Sequence, residues 1–121
     1  MKLQESGEMY LETILLLSLE HGKVRSIDVA NRTGYSKPSV SHAVNLLKDN
    51  GYIVIDSDGS ITLTEEGRAV AQRMYERHTL LTSLLIRMGV SEQTAAADAC
   101  RIEHDISEET FEKLRIYVQS L

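Results

Sequence analysis

An otherwise helical pattern of apolar residues is interrupted once, near the middle of the chain. Residues 52–55 and 61–63 are short β-branched or apolar runs, and the segment between them contains Asp58-Gly59, which suits the φ > 0 positions of a tight hairpin turn. Apolar residues recur at helical spacing before and after this break. Aromatic residues make up only 5% of the chain, so the core must be mainly aliphatic. We therefore predict a mainly α fold that contains one β-hairpin.

The segment before the hairpin predicts three helices. An amphipathic helix over residues 8–20 is followed by a short helix that Ser26 caps and whose Ile27 and Ala30 face inward. A third helix begins after Ser36, which can act as its N-cap. A winged helix-turn-helix has this element order: helix, short helix, glycine turn, helix and then a hairpin, which is the wing.

The segment after the hairpin predicts three more helices. Thr64 caps a long one, and Ser91 and Ser107 cap two shorter ones. With 121 residues the chain fits one compact domain or two very small ones.

The charge of the chain is unevenly distributed. Its net charge is −5, which by itself argues against a nucleic-acid partner. Residues 21–51, however, carry five basic and two acidic side chains, whereas the rest of the chain carries eight basic and sixteen acidic ones. This asymmetry indicates one segment that meets an anion and another that collects cations.

The third helix is the candidate for reading DNA. The start of this helix carries mainly short polar side chains and one cation, which suit phosphate contacts and hydrogen bonds to base edges. Taken singly, each serine is equally explained as a helix cap. Asp56 and Asp58 weaken the wing as a phosphate-binding element, so we expect the helix to do most of the binding. The predicted DNA-binding residues are Ser36, Lys37, Pro38, Ser39, Ser41, His42, Arg25 and Arg32.

Three residues near the C-terminus have the spacing of metal ligands. Cys100, Glu103 and His104 stand at i, i+3 and i+4 of a predicted helix, so a thiolate, a carboxylate and an imidazole project from one face. Each alone has an ordinary explanation: a small buried hydrophobe, a solvated acid, or a histidine bonded to a carbonyl. Together they predict a site for one cation.

Other features exclude several classes of protein. No apolar run reaches the ~18 residues of a transmembrane helix, and the N-terminus lacks the apolar segment of a signal peptide, so we expect a cytoplasmic protein without a membrane partner. The chain has no H-E-x-x-H zinc signature and no phosphate-cradling glycine loop. We therefore predict that it is not an enzyme and has no small organic substrate. A small metalloenzyme, or a regulator that senses thiol oxidation at Cys100, remains the alternative.

Four segments carry a family resemblance that covers nearly the whole chain. The chain resembles the diphtheria toxin repressor and manganese transport regulator family at residues 7–14 (GEMYLETI), 36–41 (SKPSVS), 99–104 (ACRIEH) and at Arg77-His78. The resemblance implies a metal-dependent repressor with two domains. Residues 1–64 would form an N-terminal DNA-binding winged helix, and residues 65–121 a helical domain that binds metal and dimerises.

The same resemblance implies a ligand set. Met9, Cys100, Glu103 and His104 match the activating site of iron-responsive members, while Glu12 and His78 match positions that also ligate metal in manganese-responsive ones. Two further positions that would support an ancillary metal in iron-type members are occupied here by Thr82 and Ala96, which puts a complete second site in doubt.

The ligand chemistry predicts the metal. A thioether and a thiolate are softer ligands than carboxylates, so they favour Fe²⁺ over Mn²⁺, with Co²⁺, Ni²⁺ and Zn²⁺ also able to bind. We expect a homodimer that Fe²⁺ activates to bind double-stranded operator DNA of metal-uptake genes, with Mn²⁺ sensing as the alternative. Apolar residues of the long and last helices are interface candidates or ordinary core: Leu80, Leu81, Leu84, Leu85, Phe111, Leu114 and Val118.

Overall fold

A computed structural model describes residues 5–121, and these residues form six α-helices and one two-stranded antiparallel sheet. This architecture confirms the predicted mainly α fold with a single hairpin. In chain order the elements are α1 (Glu5–His21), α2 (Ser26–Thr33), α3 (Lys37–Asp49), β1 (Ile53–Ile55), β2 (Ile61–Leu63), α4 (Glu65–Arg87), α5 (Glu92–Asp105) and α6 (Glu108–Gln119).

The described chain divides into two compact units, one ending at Arg73 and one beginning at Met74. The first unit contains α1, α2, α3, the hairpin and the start of α4, and the second contains the rest of α4 with α5 and α6. The predicted domain boundary between residues 64 and 65 stays a prediction.

Aliphatic side chains from every element of the N-terminal unit build its core. The α1 residues Leu11 and Ile14 are buried together with Val29 of α2, Val40 of α3 and Ile53 of β1. Burial of such aliphatic surface stabilises the fold by about 25 cal/mol per Å². The core therefore holds α3 against α1 and α2, and this packing leaves the opposite face of α3 exposed.

The hairpin pairs Ile53 with Leu63 and Ile55 with Ile61, and its turn contains Gly59 at φ +87°, as the Asp-Gly signal predicts. The amide of Ile61 donates a hydrogen bond to the carbonyl oxygen of Val24, at 2.7 Å, which fixes the hairpin to the turn between α1 and α2.

The start of α2 corrects two predictions. Ser26 is not the N-cap but the first helical residue; Arg25 occupies the cap position, and its backbone N–H donates to Asp28 Oδ2 at 2.9 Å. Ile27, predicted to face inward, is 41% exposed, whereas Val29 is fully buried. Because the packing of this short helix centres on Val29 and the neighbouring alanine, Ile27 in the first turn falls at the edge of the contact.

The long helix α4 begins as predicted. Thr64 caps it, since the Gly67 amide donates to Thr64 Oγ1 at 3.2 Å. A Cβ atom added at Gly67 would stand 2.0 Å from the backbone oxygen of Tyr52. The first turn of α4 thus lies directly against the chain that leads into the hairpin.

The C-terminal unit is organised by two capped helices. Ser91 Oγ accepts from the Thr94 amide at 3.4 Å and starts α5, and Ser107 Oγ accepts from the Thr110 amide at 3.1 Å and starts α6. Among the interface candidates, Leu81 and Phe111 are already buried in the single chain, which supports a core role for them. The others are only partly buried: Leu80, Leu84, Leu85, Leu114 and Val118.

Candidate metal centre and DNA-reading surface

The helix α5 brings the three predicted ligands of its last turns together. Ligand atoms of Cys100, Glu103 and His104 all lie within 4.8 Å of one another. The Glu103 side chain is completely buried and that of His104 is 2% exposed, whereas Cys100 is exposed. The cluster therefore has two buried ligands and a thiol at the surface.

The carboxylate of Glu103 lies at the centre of this cluster. Its Oε2 is 2.9 Å from Nδ1 of His78 on α4, and its Oε1 is 3.5 Å from Nε2 of His104. Oε1 is buried and has no hydrogen-bond partner among the residues that the structure describes. Because a buried polar atom without a partner is unfavourable, the site fits a cation that would take this oxygen as a ligand. His78, Cys100, Glu103 and His104 together offer nitrogen, sulfur and oxygen donors, which suit a first-row divalent metal.

A buried arginine holds the ligand turn in place. Arg77 Nη1 donates to the backbone oxygens of Glu103 (2.9 Å) and Ile106 (3.0 Å), and Nη2 donates to Glu108 Oε1 at 2.7 Å. Its guanidinium also lies 5.3 Å from the centre of the Phe111 ring. Arg77 thus satisfies carbonyl groups at the C-terminal end of α5, which no helical amide can reach, and connects that end to α6.

The remaining predicted ligands, Met9 and Glu12, lie on α1 in the N-terminal unit. Their spacing of three residues puts them on the same side of that helix. Glu12 is buried and Met9 partly buried, and the Thr13 hydroxyl donates to the Met9 backbone oxygen at 2.9 Å and approaches its sulfur at 3.6 Å. At the two ancillary positions, Thr82 has a buried hydroxyl that no described residue bonds, and the side chain of Ala96 has no ligand atom.

The start of α3 presents all its predicted DNA-binding side chains to solvent. Ser36 has two roles in this turn, since its Oγ accepts from the Ser39 amide at 3.3 Å and lies 2.9 Å from Ser39 Oγ. Lys37 and Ser41 line a surface cleft of about 310 Å³ with Ser26 and Ile27. The exposed set at this helix start is Ser36, Lys37, Pro38, Ser39, Ser41 and His42.

The two predicted DNA-binding arginines have intramolecular partners. Arg32 Nη2 donates to both carboxylate oxygens of Glu20 at the end of α1, at 2.5 Å each. The hydrogen bond from Arg32 lowers the pKa of Glu20 below its usual value. Arg25 Nη2 lies 3.8 Å from Asp58 Oδ2 at the wing tip. Both pairs are at the surface.

The wing tip is paired with cations, and the sequence analysis missed this. Asp58 Oδ2 accepts a hydrogen bond from Lys23 Nζ at 3.1 Å. Hydrogen bonds involving Asp56 and Ser60, and then that from Lys23, hold the pKa of Asp58 well below its usual range. Lys23 and Asp58 are 35 residues apart in the chain, so no local pattern could have paired them.

Comparisons with known proteins agree with both the DNA-reading surface and the candidate metal centre. Residues 2–61 match the model of the iron-dependent repressor N-terminal DNA-binding domain, and residues 64–121 match that of the metal-binding and dimerisation domain. The transcriptional regulator MntR of Escherichia coli O6:H1 is 37% identical over 110 residues, which are 91% of this chain and 71% of the relative.

The chain belongs to the diphtheria toxin repressor and manganese transport regulator family of metal-dependent transcriptional repressors.

The names of other similar proteins record iron, manganese or a metal in general. The iron-dependent repressor IdeR of Mycobacterium bovis is 34% identical, over 93% of this chain and 50% of its own length. The solved manganese regulator SloR is 25% identical with a TM-score of 0.83, over 98% of this chain and 55% of that one. The solved metal-dependent regulator MtsR is 26% identical with a TM-score of 0.86, over 93% of this chain and 53% of that one. The chain thus spans about half the length of these three proteins.

Family membership settles the class of protein. The chain is a metal-dependent transcriptional repressor and not an enzyme, so the metalloenzyme alternative is set aside. Because iron and manganese regulators both occur among the relatives, membership alone does not distinguish the two metals. None of the described helices combines the length and the apolar character that are needed to cross a membrane.

Proposed function

We propose that this protein is a homodimeric repressor that Fe²⁺ activates to bind operators of metal-uptake genes in the cytoplasm. The observation that carries the proposal is the buried carboxylate of Glu103, which lies close to the ligand atoms of Cys100 and His104. One of its oxygens has no hydrogen-bond partner among the described residues. A divalent cation would complete the coordination of this oxygen and neutralise its charge.

The donor set supports iron over manganese. Mn²⁺ prefers oxygen ligands, whereas a thiolate, a thioether and imidazole favour the later and softer divalent metals. Cys100 and Met9 supply the two sulfur atoms, and Glu103, His104, His78 and Glu12 supply the remaining donors. Co²⁺, Ni²⁺ and Zn²⁺ should bind in vitro, so iron is the proposed signal because of its availability as well as its affinity.

The division of the ligands between the two units suggests how the metal acts. Met9 and Glu12 belong to α1, and the other four ligands belong to the C-terminal unit. An ion that takes ligands from both would fix the DNA-reading unit relative to the dimerising one. In a two-fold dimer this matters because the two recognition helices must reach sites ~34 Å apart, or a multiple of that distance, on the duplex. Metal and operator would therefore raise each other's affinity.

The test is an anaerobic mobility-shift titration with an operator duplex selected from a random-sequence pool. We expect Fe²⁺ to strengthen binding of the unmodified protein, and the Cys100→Ala and His104→Ala variants to lose that response. Asp98→Asn is the matched control, because it removes a half-exposed carboxylate from the same helix and outside the ligand cluster. If neither Fe²⁺ nor Mn²⁺ changes the affinity of the unmodified protein, the proposal is wrong.

The exposure of Cys100 keeps thiol oxidation as the rival mechanism. Met9→Leu separates the two ideas, because it removes a proposed ligand and leaves the thiol unchanged. Loss of the metal response in this variant supports ligation. An unchanged metal response, together with a DNA affinity that peroxide alters through Cys100, would favour the redox mechanism.

A further inference from the structure

We propose that Lys23 and Arg25 form a binding site for a DNA backbone phosphate, and that Asp58 occupies this site when DNA is absent. The inference rests on the proposed function only in taking duplex DNA as the ligand. In this proposal, Asp58 at the wing tip is an internal counter-ion of Lys23 and Arg25, and the DNA phosphate displaces it.

The geometry brings two cations to one carboxylate oxygen. Asp58 Oδ2 lies 3.1 Å from Lys23 Nζ and 3.8 Å from Arg25 Nη2. Neither cation is adjacent to Asp58 in the chain, and both belong to the turn between α1 and α2 and its junction with α2. A phosphate oxygen has the same charge and hydrogen-bonding capacity as this carboxylate oxygen, so it can take the same two partners.

The backbone holds the two sides of this site together. The Ile61 amide donates to the Val24 oxygen at 2.7 Å, so the residue between Lys23 and Arg25 is bonded directly to the wing. The wing turn is itself closed by Asp56 Oδ1, which accepts from the amides of Asp58 and Ser60 at 3.2 and 3.0 Å. The cations and the carboxylate are therefore placed by the fold and do not meet only through flexible side chains.

Because Lys23 and Asp58 are exposed, replacing Asp58 with a phosphate costs little free energy. The Lys23 side chain is 75% exposed and that of Asp58 is 42% exposed. Exposed ion pairs contribute little to stability because water competes with both partners. A duplex presents a dense row of phosphates with a much stronger negative potential than one carboxylate, so it should displace Asp58.

Exchange also explains why an acidic residue stands where a wing would be expected to carry a cation. When phosphate displaces Asp58, the released carboxylate must be solvated and attracts a cation from solution. This offsets part of the counter-ion release that drives DNA binding. Asp58 thus lowers the affinity for any duplex and makes that affinity less sensitive to salt.

The variant Asp58→Asn tests this directly. The amide oxygen of Asn can still accept the hydrogen bond that Asp58 Oδ1 accepts from the Ser60 amide, at 3.1 Å, so the turn should fold unchanged while the charge is lost. Asp56→Asn is the matched control: it removes the same charge from the same turn, and Asp56 makes no ion pair with any described residue.

The measurement is anaerobic fluorescence anisotropy with a labelled 30-base-pair duplex of random sequence, at several NaCl concentrations and with saturating Fe²⁺. We expect Asp58→Asn to bind about two- to fivefold more tightly than the unmodified protein, as the loss of one exposed ion pair implies. The slope of log K against log[NaCl] should become steeper by up to ~0.9. Asp56→Asn should change the DNA affinity and the salt slope by less.

A double-mutant cycle with Lys23→Gln completes the test. Lys23→Gln alone should weaken binding, and Asp58→Asn should gain less affinity in that background. Equal effects of Asp58→Asn and Asp56→Asn, or fully additive effects of Asp58→Asn and Lys23→Gln, would overturn the exchange site. Such a result would leave the metal response untouched, whereas failure of the proposed function would appear as the absence of that response. A protein that binds no duplex at low salt would overturn both.

Discussion

The charged side chains around the wing and those around the metal ligands are held in opposite ways. Lys23 and Asp58 form a pair at the surface, where either partner can be exchanged. Arg77 and Glu103 are buried, and several of their polar atoms have fixed partners. Exposed pairs cost little to break and can yield to a ligand, whereas buried charged groups fix positions and are costly to disturb. The first region is therefore built for exchange and the second for geometry.

The largest effect should follow a change at the buried carboxylate. Glu103→Gln keeps the shape of the side chain and removes its charge, so the cluster loses its central anionic ligand. Loss of a residue that merely orients a ligand lowers metal affinity 10- to 100-fold, so we expect a loss of at least ~100-fold here. An anaerobic Co²⁺ titration followed by absorbance measures it, with Asp98→Asn as the control. Unchanged Co²⁺ affinity would remove Glu103 from the ligand set.

The next effect compares a buried arginine with an exposed one. Arg77→Met leaves the backbone oxygens of Glu103 and Ile106 without their donor, and we expect it to lower the free energy of unfolding by about 3 kcal/mol. The Arg101 side chain is mostly exposed, and its Nη1 lies 3.9 Å from Asp98 Oδ1. Arg101→Met should therefore lower the free energy of unfolding by less than ~1 kcal/mol. Urea denaturation of the metal-free protein gives both values. Similar losses in the two variants would contradict the assignment of Arg77 as the residue that holds the ligand turn.

A smaller effect should separate helix capping by Ser36 from its predicted contact with DNA. Ser36→Ala removes the oxygen that accepts from the Ser39 amide, so we expect a loss of ~1 kcal/mol in stability, while Ser36→Gly should cost only a few tenths. If the hydroxyl also contacts DNA, both variants should bind operator more weakly than the unmodified protein under conditions where all are folded. Normal operator affinity of the glycine variant would show that Ser36 is a helix cap and nothing more.

The smallest effect concerns the exposed pair of Glu20 and Arg32. The hydrogen bond from Arg32 lowers the pKa of Glu20 in the folded protein. A carboxyl with a lowered folded pKa stabilises the protein above its unfolded pKa of ~4.3, and this contribution disappears as the pH falls through the folded value. Glu20→Gln should therefore lower the urea midpoint slightly at pH 7 and leave it unchanged at about pH 2. A difference that persists at the lower pH would point to packing and not to charge.

Local signals in the sequence predicted most of the fold. Caps depend on a side chain and an amide three residues away, and Ser36, Ser91 and Ser107 were all predicted on that basis. The convergence of Cys100, Glu103 and His104 also follows from helical spacing, although their burial does not. The prediction that Ile27 faces inward is wrong because the packing angle of an eight-residue helix is set by its neighbours and not by its own pattern.

The long-range polar contacts could not be predicted. Arg77 donates to carbonyl groups 26 and 29 residues away, and every residue has such a carbonyl, so the sequence holds no sign of this choice. Its position just before His78 was the one available hint. Lys23 and Asp58 were both visible as charges, but their pairing depends on how the hairpin folds back onto the turn before α2.

The close approach at Gly67 makes a residue without a side chain one of the least replaceable in the chain. Even the single methyl group of alanine would be driven into the peptide bond of Tyr52, where no rotamer change can relieve the overlap. A saturation mutagenesis library selected for repression should therefore be nearly empty at position 67. It should tolerate many replacements at the neighbouring exposed position 68.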